Sequence, residues 1–247
     1  MRGTRVVVGL ALVAALALAL PAAAATIKGS KRGDRLVGIK RADKIKAGSG
    51  NDRVRSGPGA DRVYGGRGND RLDGGTSGDR LYGESGTDRV RGRSGNDRMR
   101  GGRGVDRLTG DSGDDLVYGD ANSDRVSAGS GNDTVFGGGG NDSLFAGPPG
   151  RGATAGDDLY GQDGLDRLRG DVGNDRLDGG PRGDNISGGR GEDDLLGGDG
   201  NDRIDARDGD QDTIDCGAGN DTLLADSVED GVADCETILV PPDPPEA

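Results

Sequence analysis

The chain has no histidine and no tryptophan, and only four tyrosines and two phenylalanines in 247 residues. Without histidine, the commonest general base and most nucleophile-activating arrangements are lost. With aromatics at 2% and 52 glycines, an ordinary two-layer domain around a large apolar core is excluded. Taken alone, the composition points to disorder. The two cysteines, Cys216 and Cys235, show no C-x-x-C spacing, which argues against a thiolate metal or redox motif. Long apolar runs are absent with one exception, Val6 to Leu20, interrupted only by Gly9.

That run follows Arg2 and Arg5 and leads through Pro21 into Ala22, Ala23, Ala24 and Ala25. A charged start, an apolar stretch and a small-residue site in this order predict a secretory signal over 1–25, removed from the mature chain. The competing reading is a membrane anchor, but the run falls short of the ~20 residues a span requires. No later segment is apolar enough to cross a bilayer. The expected location is therefore secreted, extracellular or cell-surface associated. Removing two arginines and no acid takes the net charge from −12 to −14.

What is present is order. Asp34, Asp43, Asp52, Asp61 and their successors recur every nine residues to Asp142; the spacing resumes from Asp157 to Asp202 and ends with Asp212 and Asp221. There are 21 such units over roughly residues 29–224. Two positions after each aspartate stands an apolar residue, as in Leu36, Ile45, Val54, Val63 and Leu72. A small residue, usually glycine, stands five positions before it, and another glycine usually two before. The unit reads G-G-x-G-x-D-x-U-x, with U a large aliphatic; residues 65–73, 101–109, 137–145 and 197–205 match it best.

Glycines permit positive φ, and the asparagine that often precedes the aspartate (Asn51, Asn69, Asn96, Asn132) tolerates it better than most residues. The first six positions are thus expected to form a turn and the last three, x-U-x, a very short strand. One inward aliphatic per unit cannot make a core, but stacked coils bury a continuous column of them. Close-packed glycine turns also direct carbonyl oxygens into one gap beside a carboxylate, a hard oxygen cage suited to Ca²⁺.

At these residues the sequence resembles the hemolysin-type calcium-binding repeats, the RTX family. The resemblance implies an all-β fold, a parallel β-roll (β-solenoid) of about 21 nonapeptides with two per coil, and several calcium ions held between turns of adjacent coils. Unit i then stacks on unit i+2, so that Asp52, Asp70, Asp88 and Asp106 line one edge and Asp61, Asp79, Asp97, Asp115 and Asp133 the other. The candidate metal ligands are Asp52, Asp61, Asp70, Asp88, Asp97, Asp106, Asp115, Asp133, Asp142, Asp166, Asp175, Asp193, Asp202 and Asp221.

Some units depart from the pattern. Residues 29–34 and 38–43 carry Lys or Arg in place of glycine, and 26–46 is expected to be a basic capping coil without metal. Residues 74–79, 119–124 and 179–184 lose or shift the second turn glycine and are expected to be weak or absent sites. The roll is expected over 47–224, with 146–156 as an inserted surface loop that breaks metal stacking. Residues 225–240 break the repeat and are expected to form a C-terminal cap, and 241–247 a disordered tail. Cys216 and Cys235 are expected to form one disulfide, which would stabilise that cap by roughly 3 kcal/mol; two free thiols are the alternative.

Arginine follows the aspartate in most units and should form outward ladders. The favoured account is solubility and partial neutralisation of the aspartates; a surface for anionic polymers is the other, and some aspartates could pair with guanidinium instead of metal. Residues 26–46 hold eight Lys/Arg against two Asp, which offers a tether to anionic cell-envelope polymers. Residues 205–247 hold thirteen acids against Arg207. No nucleic acid partner and no oligomer are expected. The repeats leave too few residues for a catalytic domain, so the chain reads as a calcium-binding or structural module and not an enzyme. The alternative is a metal-independent solenoid acting as a passive surface or adhesive protein.

Overall fold

The computed structural model describes residues 26–147, 156–226 and 231–240. The expected signal, the centre of the insertion and the C-terminal tail lie outside the described residues. Among those residues all helix and strand assignments are strand: 25 strands in two parallel sheets of 13 and 12. Successive units alternate between the sheets, so each strand pairs with the one two units on. Val63 lies opposite Ile45 and Leu81 in one sheet, and Leu72 opposite Val54 and Val90 in the other. This is a parallel β-roll with two nonapeptides per coil. No helix among the described residues is long and apolar enough to cross a membrane.

The strands are longer than the x-U-x expectation. Most have six residues, as in Arg62–Arg67, where Val63 and Gly65 both point inward. The ladder continues past the bend at Gly65, with Gly66 opposite Glu84 and Arg67 opposite Ser85. Each unit therefore contributes three inward positions: the aspartate, the aliphatic and the small residue. The aliphatics from Leu36 to Leu223 form one continuous core between the sheets.

The insertion leaves this stack intact. Val135 pairs with Leu159 and Leu144 with Leu168, in the same registers as elsewhere. The C-terminal segment is also part of the roll, since Gly231–Ala233 stacks on Thr213–Asp215 and Thr237–Leu239 on Thr222–Ala225. Cys216, fully buried, is joined to Cys235 by a disulfide across this last coil.

The close coil spacing is what demands glycine. Gly104 has φ +126°, and a Cβ there would come within 1.9 Å of the Gly86 carbonyl oxygen one coil earlier. Gly139, by contrast, has open space and no positive φ. Gly104→Ala is expected to destabilise the roll by about 2 kcal/mol or more, and Gly139→Ala to be near neutral. Thermal melts in calcium read the difference; equal melting temperatures would refute this packing.

Asparagine before the aspartate has a different role from the expected one. None of these asparagines adopts positive φ; instead the amide oxygens of Asn51, Asn69, Asn96, Asn141, Asn174 and Asn201 accept a backbone N–H of the next coil. Asn51 Oδ1 accepts from Asn69 N–H at 2.9 Å, and Asn69 Oδ1 from Thr87 N–H at 3.0 Å. The contact lies 18 residues away.

Candidate metal centre

Each repeat aspartate sits at the start of a strand with its side chain inward, at the corner between the sheets. All fourteen candidates are at most 3% exposed. Their Oδ1 atoms form two unbroken ladders, each accepting the backbone N–H of the aspartate one coil earlier. One runs through Asp52, Asp70, Asp88, Asp106, Asp124, Asp142, Asp166, Asp184, Asp202 and Asp221 at 2.6–2.7 Å. The other runs through Asp61, Asp79, Asp97, Asp115, Asp133, Asp157, Asp175, Asp193 and Asp212 at 2.7–2.9 Å. Both ladders cross the insertion, where metal stacking is expected to break, because the stack realigns on the far side.

The second carboxylate oxygen is different. Oδ2 is buried without a hydrogen-bond partner in all fourteen candidates, and also in Asp79, Asp124 and Asp184. It lies against the Cα of the small residue five positions earlier, facing a carbonyl of the next coil. The place where Gly65 lacks a Cβ is 2.5 Å from Asp70 Oδ2 and 2.8 Å from the Gly83 oxygen. At Gly101 the corresponding atoms are Asp106 Oδ2 at 2.5 Å and the Gly119 oxygen at 2.7 Å. Oxygens converge there, and no donor answers Oδ2.

Such an arrangement raises carboxylate pKa values. Desolvation pushes Asp70, Asp79, Asp133 and Asp175 up to about 7 and Asp115 and Asp124 to about 8, opposed by the backbone N–H each accepts and reinforced by neighbouring carboxylates. Asp52, Asp88, Asp97, Asp166 and Asp202 rise to about 6 by desolvation. The ionised rows are thus out of balance with their surroundings.

The donor set fits a hard cation. No three His, Cys, Asp or Glu side chains converge among the described residues, so a cation bound here would have to draw on backbone carbonyls beside the carboxylates, oxygen donors of the kind Ca²⁺ takes. A family model for the RTX calcium-binding nonapeptide repeat matches overlapping segments that together run over 29–148 and 151–231. The chain belongs to that family. No curated protein matches its sequence at a significant level.

Within the RTX roll, the irregular turns are built like the regular ones. Ser77, Asn122 and Arg182 take the place of the second turn glycine and adopt φ of 80°, 77° and 79°. Asp79, Asp124 and Asp184 consequently keep the same ladder and the same orphan oxygen, and glycine count is no guide to them. The first coil does differ: Asp34 Oδ2 accepts the Ser30 N–H and Asp43 Oδ2 the Ile39 N–H, each at 2.6 Å. At the other end Glu236 Oε2 accepts the Asp221 N–H at 2.8 Å, taking the place of the next aspartate. Sequence reading missed Glu236, although Glu236-Thr237-Ile238 is the D-x-U triplet with glutamate for aspartate.

The arginines leave the ladders alone. Among the described residues the ion pairs join guanidinium groups to outward acids, such as Arg93 to Asp73 and Arg100 to Asp120, and never to a repeat aspartate. Direct pairing of arginine with the buried rows is therefore not found among the described residues, since the two groups lie on opposite faces of the same strands.

Proposed function

We propose that this RTX protein is secreted, that its buried carboxylate rows hold calcium ions between adjacent coils, and that it folds as they bind. The observation that carries this reading is the buried, donor-free Oδ2 repeated in seventeen aspartates. The ligands are the fourteen candidates above together with Asp79, Asp124 and Asp184. Bound calcium supplies positive charge; the chain supplies the carboxylates, the turn carbonyls and a dry gap. Asp34 and Asp43, whose second oxygens already accept backbone N–H groups, form a capping coil without metal, and the coil closed by Cys216 and Cys235 caps the other end.

Secretion is supported by the order of charged, apolar and small residues over 1–25, and calcium at extracellular levels suits this kind of module. The role is binding or structural and not catalytic, since histidine is absent and the acids serve one repeated position. The protein is a monomer on this reading, with its basic end free to meet anionic envelope polymers.

Calcium stoichiometry tests the assignment. Asp70→Ala and Asp124→Ala are each expected to lower the number of bound ions by about one and to lower the melting temperature in calcium. Asp34→Ala is expected to change neither. If Asp34→Ala matches Asp70→Ala, the orphan oxygen is not the mark of a site.

A further inference from the structure

The outward residue after each aspartate stacks in register along each sheet. In the sheet that begins with Arg35–Val37, this column is Arg35, Arg53, Arg71, Arg89, Arg107 and Arg125, each directly opposite the next. All six are exposed. Their guanidinium groups make no ion pair among the described residues, whereas Arg91 and Arg93 on the same face are taken by Asp111 and Asp73. The column borders a groove of about 450 Å³ lined by eight arginines and a single acid, Asp73.

Six like charges one strand spacing apart, ~4.8 Å, repel one another. The fold does not require them. Further along the same column the residues are Ser143, Arg167, Asn185, Arg203 and Thr222, and the strands pair in the same way. Nor do these arginines pair with the buried aspartates, which lie on the opposite face. What remains unexplained is a straight row of planar cations without ion-pair partners among the described residues, of which only Arg125 at its end lies over a ring, Phe145; this is the geometry that takes carboxylates in bidentate pairs.

We infer that this arginine ladder is a binding site for a linear acidic polysaccharide carrying one carboxylate per sugar. An extended chain of that kind rises by about one strand spacing, ~4.8 Å, per sugar and turns successive carboxylates to opposite sides, so those facing the sheet meet every second guanidinium group of the ladder. A single-stranded nucleic acid fits less well. Its bases need aromatic platforms, and the neighbouring outward column offers Val37, Arg55, Asp73, Arg91, Thr109 and Ser127 before its one aromatic, Phe145, which Arg125 already covers at 4.6 Å. The inference depends on the roll alone and not on which aspartates hold calcium.

The test is titration calorimetry with the full chain in calcium buffer, using a short oligogalacturonate as probe and an oligodeoxythymidylate of similar length beside it. The parent is expected to bind the oligogalacturonate more tightly, and to weaken as salt rises. Arg71→Gln with Arg89→Gln is expected to cost at least about tenfold in affinity. Arg167→Gln with Arg203→Gln, on the same sheet beyond the ladder, is expected to leave binding unchanged. Each single substitution is read as well, so that a double variant that fails to fold does not decide the matter. Absence of binding, equal losses in the two pairs, or tighter binding of the oligonucleotide would overturn the site. Loss in Lys31→Gln with Lys40→Gln instead would move it to the basic end and overturn the ladder.

Discussion

In EDTA at pH 8 the chain is expected to lose its β-sheet circular dichroism, and to regain it when calcium is returned to roughly millimolar concentration. Without metal, the roll holds two rows of carboxylates about one strand spacing apart. At an effective dielectric of about 20, two unit charges at ~4.8 Å repel by about 3 kcal/mol. Each row has many such neighbours, so the repulsion between fully ionised rows exceeds the 5–15 kcal/mol net stability typical of a domain. The opposing core is thin, with one large aliphatic per unit. Calcium bound only by the folded roll adds stability by mass action, and many sites add together. A spectrum and a melting curve unchanged by EDTA would leave the metal-independent solenoid as the correct reading.

The second large effect is expected from pH, and its direction follows from the buried rows. In the unfolded chain an aspartate titrates near its ordinary value of 3.8, whereas in the metal-free roll Asp70 and Asp79 are raised to about 7 and Asp115 and Asp124 to about 8. Between these limits the folded state binds more protons than the unfolded state, so metal-free stability falls as pH rises. That contribution is complete below pH ~4 and is lost through pH 6–8. Protons and calcium compete for the same oxygens. The rise in melting temperature produced by saturating calcium is therefore expected to be small at pH 5 and large at pH 8. Melts at the two pH values, each with EDTA and with calcium, measure it directly. A calcium shift larger at pH 5 than at pH 8 would contradict the placement of the ions on these carboxylates.

Much of the roll is legible in the chain. A nine-residue period with an aliphatic two positions after each aspartate specifies a stacked column of aliphatics, and the resemblance to the RTX repeats implies two units per coil and hence two edges of aspartates. Spacing decides which residues share a face; that Val63 stacks on Ile45 and not on Val54 is what the family resemblance implies and the sheet register shows. The pattern also carries the candidate ligands, because an acid kept at one position among glycines has few other uses.

The rest was decided by the neighbour one coil away, which spacing does not reveal. Glycine counting discounts Asp79, Asp124 and Asp184, yet the stack holds Ser77, Asn122 and Arg182 at positive φ and keeps those turns intact. Asn51 reads as a turn former, but its amide oxygen serves Asn69 in the next coil. Asp34 matches the repeat, but the Ser30 N–H already occupies its second oxygen. Glu236 breaks the nine-residue count and nevertheless closes the ladder above Asp221. The arginines share their strands with the aspartates and never meet them, because adjacent residues on a strand point to opposite faces. The sequence by itself determined the period, the core and the row of acids. Only the tertiary structure decided which carboxylate oxygens are left without a donor, because that depends on backbone N–H groups brought close by stacking.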